Sequence, residues 1–132
     1  MDGTNSQIYR NALIANKENE KGKRKMTKHE KTMLAIAKDI KQYCIEQGLW
    51  YDCRIYFNGI AWDSDGEVIE NINPLNYYEY ANPKTLSMSF EGPLYQAINY
   101  EGYAESDLQK ILKQNGYYLE LGHAWNFSIY KI

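Results

Sequence analysis

Residues 51–72, YDCRIYFNGIAWDSDGEVIENI, decide how this chain folds. β-branched and aromatic residues crowd this stretch, and two turn signals interrupt them: Asn58-Gly59 and Asp63-Ser64-Asp65-Gly66. Asn-Gly is the favoured pair for a two-residue type I′ hairpin, because both central residues need positive φ. The spacing predicts strands over 51–57, 60–62 and 67–72, an antiparallel meander. A bulge at Asn58-Gly59 inside one long strand is the alternative.

Upstream, Thr27 and Glu30 form the S/T-x-x-E pattern of a capping box, in which each side chain satisfies a free backbone N–H of the other. Met33, Leu34, Ile36, Ala37, Ile40, Tyr43 and Cys44 follow at helical spacing and give a broad apolar face, and Gly48 supplies the left-handed stop. This helix is expected to cover the sheet.

Downstream, residues 73–83 read as a polar, Tyr-bearing loop broken by Pro74 and Pro83. A strand over 85–90 alternates Leu86, Met88 and Phe90 with Ser87 and Ser89, which predicts one buried face. Pro93 at a first helical position opens a short helix to about residue 100. A second helix is expected over 106–114. The chain closes with a hairpin whose Gly122-His123 turn is expected to be type II′, with Tyr117, Leu119 and Leu121 on one side and Trp125, Phe127 and Ile129 likewise.

The sum is an α+β domain over residues 26–132: an antiparallel sheet of five to six short strands, a meander plus a C-terminal hairpin, covered by two to three helices. Residues 1–25 are polar and basic and lack the apolar content to offset the entropy of ordering, so they read as a flexible or loosely docked tail. Its one apolar island is 8–14, and Met26 offers an alternative start. No signal peptide and no apolar run of membrane length occurs, and the two cysteines form neither a CxxC pair nor a zinc pattern, so the expectation is a cytoplasmic protein with reduced thiols and no membrane partner.

Charge divides the chain. Residues 1–25 hold six Lys/Arg and three Asp/Glu, net +3, whereas the remainder holds nine and fourteen, net −5. An acidic body disfavours nucleic acid, whose backbone is bound by neutralising phosphate, and suits a partner with a basic surface. Tyr occurs 13 times against 3 Phe and 3 Trp, a bias toward half-wet interface positions and toward strands.

Catalytic signatures are missing: there is no P-loop, nucleotide-binding glycine motif, nucleophile elbow or zincin motif, so neither catalytic residues nor a cofactor are assigned. His29 and His123 have no nameable orienting partner, and Cys44 and Cys53 lie on apolar faces where cysteine packs as a small hydrophobe. The acidic turn 63–67 fails the EF-hand register; a hairpin turn is expected there, with at most a weak surface magnesium site. At 87–95, an anion site on the helix N-terminus is weakened by Pro93 and by the charge of Glu91.

The residue types that remain are aromatic anchors, with Trp50, Trp62, Tyr51, Tyr100 and Tyr103 expected at the surface, in an acidic setting. The expected function is a non-catalytic binding module, an inhibitor or regulator that engages a basic, nucleic-acid-handling protein through Asp63, Asp65, Glu67, Glu70, Tyr77, Tyr78, Glu79, Tyr80, Glu91 and Tyr95. Acidic compact chains without enzyme motifs have the general look of accessory proteins of phages and mobile elements, a likeness that no motif carries. The alternatives are a nucleic-acid binder using Lys21, Lys23, Arg24 and Lys25 with stacking Tyr rings, and a small enzyme assembled from Cys53, Glu91 and His123.

Overall fold

Two faces of one sheet are buried by different means. The structure is a computed structural model in which residues 25–132 are described. The proposed tail, with Lys21, Lys23 and Arg24, lies outside the described residues, and only Lys25 of the basic cluster is seen, exposed ahead of the first helix.

Helix α1 (Lys28–Glu46) begins with the expected capping box. The Glu30 N–H donates to Thr27 Oγ1 at 3.0 Å and the Thr27 N–H donates to Glu30 Oε1 at 2.9 Å. Met33, Ile36, Ala37, Ile40 and Cys44 are fully buried along one face. Strands β1 (Cys53–Phe57) and β2 (Ile60–Asp63) form the hairpin, with Asn58 at φ 53° and Gly59 at φ 76°, both left-handed as a type I′ turn requires.

Strand β3 is only Val68–Ile69, shorter than the expected 67–72. It is followed by a 3₁₀ turn at Pro74–Asn76, β4 (Leu86–Phe90), α2 (Pro93–Asn99), α3 (Tyr103–Lys113), β5 (Tyr117–Leu121) and β6 (Asn126–Lys131). All neighbours are antiparallel and the sheet order is β3-β2-β1-β4-β6-β5. The fold is α+β, as the sequence pattern predicts.

Helix α3 starts three residues earlier than expected because Gly102, at φ 79°, turns the chain directly into Tyr103. The terminal turn also differs. Four residues, 122–125, join β5 to β6, and Gly122 is not left-handed, so the turn is not type II′.

The core lies between the helices and one face of the sheet, where Ile55, Phe57, Met88, Phe90, Phe127 and Ile129 pack beneath Leu94, Leu108 and Leu112. Trp62, expected at the surface, is 1% exposed here, edge-on to Phe57 with the Lys41 ammonium 5.4 Å from its ring centre. Trp50 is buried beside it.

The opposite face was expected to be open, and it is not. Ser87 and Ser128 are buried there with Tyr56 and Ala61, because residues 72–82 fold across it and bring Ile72, Tyr78 and Ala81 onto the sheet. The serines hold this cover in place: Ser87 Oγ lies 2.7 Å from Ser128 Oγ and accepts the Asn82 N–H at 2.7 Å, and the Ser128 hydroxyl donates to the Tyr80 carbonyl at 3.0 Å. Small polar side chains allow the backbone of the cover to approach and satisfy its polar groups, as burial demands.

Candidate functional site

At the edge of this second face, where β1 and β4 meet the 63–66 turn, lies a pocket of about 350 Å³. Side-chain alternation along β1 points Arg54 and Tyr56 away from the helices and toward it. Tyr77, Tyr78 and Trp125 close it from the covering segment and the β5–β6 turn, and the carboxylates of Asp52, Asp63, Asp65 and Glu91 stand around it.

Local geometry gathers these acids. The Asp52 carbonyl accepts the Glu91 N–H at 3.0 Å, which ties the start of β1 to the end of β4. Gly92 makes this possible, since a Cβ there would lie 2.8 Å from the Tyr51 carbonyl oxygen and 3.1 Å from Asp52 Cβ. In the turn, the Asp65 N–H donates to Asp63 Oδ1 at 2.8 Å and the Asp63 N–H to the Glu67 carbonyl at 2.9 Å.

Arg54 is the cation among them. Its Nη2 and Nε donate to Asp63 Oδ2 at 3.0 and 3.2 Å, and its guanidinium carbon lies 5.8 Å from the ring centres of both Tyr56 and Tyr77. Burial works against its charge, but Tyr56 and Asp63 more than offset this, and its pKa is pushed up. Four carboxylates against one guanidinium leave the pocket acidic.

Aromatic rings run on from the pocket in a row. Tyr56 meets Tyr77 at 6.0 Å and Tyr78 at 5.7 Å, Tyr78 meets Trp125 at 5.5 Å, and His123 stacks on Trp125 at 5.3 Å with planes 6° apart. Tyr80 follows at 5.0 Å from His123. A second pocket of about 220 Å³, between Asn58, Ile72 and Pro83, has no carboxylate, amine or guanidinium in its walls.

Of the residues proposed from sequence, Asp63, Asp65, Tyr77, Tyr78 and Glu91 come together at the pocket. Glu67 closes the same turn without lining the pocket, Glu70 is exposed beyond β3, and Glu79 and Tyr80 stand by His123 at the far end of the aromatic row. Tyr95 does not join them: on α2 it packs against the helix-side core, 6.0 Å from the Tyr100 ring. Tyr78, proposed as a surface contact, is 5% exposed and reachable only as a pocket wall.

Arg54, Tyr56 and Trp125 escaped sequence reasoning as site residues. The first two had a signal: they alternate with Cys53, Ile55 and Phe57 and belong to the opposite face. Trp125 carried a misleading one. It was grouped with Phe127 and Ile129, but it precedes β6 and packs against Tyr78 on the other side of the sheet.

Chemically, the pocket holds no activated nucleophile. Cys53 and Glu91 line it and His123 does not. Burial, first, and the neighbouring Cys44 push the Cys53 thiol well above its ordinary range, and burial pushes Cys44 up to about 12, so both stay protonated at neutral pH. Among the described residues no group of three or more His, Cys, Asp or Glu side chains converges as metal ligands, the acidic turn included. None of their helices is long and apolar enough to cross a membrane.

Comparison with protein-family models, with curated proteins and with solved structures gives no match for this chain.

Proposed function

We propose that the protein is a non-catalytic binding module, an inhibitor or regulator that engages a basic protein, one that itself handles nucleic acid, through its acidic and Tyr-rich face. One observation carries this reading: carboxylates of Asp52, Asp63, Asp65 and Glu91 surround a pocket walled by Tyr56, Tyr77, Tyr78 and Trp125. Aromatic rings give contact area at small entropic cost, and an acidic rim steers a basic partner and rejects acidic ones. A cytoplasmic location and a role as a mobile-element accessory protein go with this reading; the free thiols of Cys44 and Cys53 suit a reducing compartment.

Capture from a host lysate, with and without nuclease, tests it. The expected result is one stoichiometric protein that survives nuclease and is lost when the exposed Asp65 and Glu91 are both changed to Lys. Capture that survives this charge reversal overturns the reading. Capture that vanishes with nuclease, and with neutralisation of Lys21, Lys23, Arg24 and Lys25, establishes nucleic-acid binding through the tail instead.

A further inference from the structure

The pocket points to more than a general preference for basic surfaces, and this step rests on the protein-binding reading above. We propose that it seats the guanidinium of a single arginine side chain presented by the partner protein.

Three features support that occupant. The first is a resident precedent: Arg54 lies 5.8 Å from the Tyr56 and Tyr77 ring centres with Nη2 at 3.0 Å from Asp63 Oδ2, so two rings and one carboxylate already hold a guanidinium here. The second is spare capacity. Asp63 is occupied by Arg54 and by the Asp65 N–H, but the carboxylates of Asp52, Asp65 and Glu91 form no ion pair among the described residues. The third is the aromatic wall: the rings of Tyr56, Tyr77, Tyr78 and Trp125 stand in mutual contact along the same pocket.

Size and chemistry agree. About 350 Å³ takes one long side chain and its stem, but no folded element. A guanidinium is planar, stacks on rings and is weakly hydrated, so it loses less on entering such a pocket than a compact ammonium does. An anion would meet the carboxylates.

The test is titration of the full-length, isotope-labelled chain with acetyl-arginine amide, acetyl-lysine amide and acetyl-citrulline amide, followed at the Trp125 indole N–H and the Tyr56 and Tyr77 ring signals. Arginine is expected to give saturable shifts, with Kd on the order of 1 mM, and to bind about fivefold tighter than lysine; neutral citrulline is expected not to bind. Asp65→Asn with Glu91→Gln, both exposed positions, should weaken arginine about tenfold. Citrulline binding as well as arginine, absence of saturation, or unchanged affinity in the double variant would overturn the proposal, and the citrulline comparison needs no variant. Charge-dependent partner capture without arginine saturation sinks the arginine seat and leaves the binding reading standing. Saturation without partner capture does the reverse.

Discussion

Gly92 shows how much of the pocket hangs on one missing methyl group. A Cβ at this position meets a backbone carbonyl at 2.8 Å, and backbone cannot rotate aside as a side chain can. Gly92→Ala is therefore expected to push apart the segments bearing Asp52 and Glu91, just before β1 and just after β4, and to cost about 1–3 kcal/mol, read as a lower urea midpoint at unchanged slope. Tyr78 makes the opposite case. Its buried hydroxyl lacks a partner, and an unsatisfied polar group burdens the folded state. Tyr78→Phe should leave stability unchanged or raise it by up to about 1 kcal/mol. A loss of about 2 kcal/mol would show that the hydroxyl is hydrogen-bonded after all.

Elements in this fold are finished by side chains from their neighbours. Strand β5 is an edge, and an open edge invites pairing with another chain. Gln109 of α3 closes it at Leu119 by imitating a strand: its Oε1 accepts the Leu119 N–H at 2.9 Å and its Nε2 donates to the Leu119 carbonyl at 3.0 Å. Gln109→Ala is expected to lower stability by about 1–2 kcal/mol and to speed hydrogen exchange at Leu119, with more association at high concentration in light scattering. Unaltered exchange at Leu119 would contradict this role. Helices α1 and α3 are joined similarly, where the Tyr43 hydroxyl donates to Asp107 Oδ2 at 2.6 Å.

At the scale of the molecule, several groups are held in their protonated forms. Burial raises the Cys44 thiol from 9.0 to about 12 and raises Cys53, and burial likewise raises the Tyr43 and Tyr78 phenols above 10.0. The sign follows from linkage. Above the ordinary pKa of each group the unfolded chain releases a proton that the folded chain retains, so stability is full below about pH 8 and falls as pH rises. The slope is at most about 1.4 kcal/mol per pH unit for each group. Urea midpoints from pH 7 to about pH 11 should trace this decline, and changing both cysteines to Ala should flatten its first part, near pH 9. An identical slope in that variant would remove the cysteines from the account.

The chain's own order sets the hairpin at Asn58-Gly59, the capping box at Thr27 and Glu30, and the apolar face of α1, because these depend on neighbours within four residues. Strand alternation likewise marks Ile55, Phe57, Met88 and Phe90 for one core. What periodicity did not disclose is the second buried face, since Ser87 and Ser128 look like solvent positions until residues 72–82 lie over them. The site was half legible for the same reason. Asp63 and Asp65 share a turn, but Asp52, Glu91, Tyr78 and Trp125 come from four separate segments, and only closure of the sheet and the packing of Gly92 against Tyr51 bring them around one pocket.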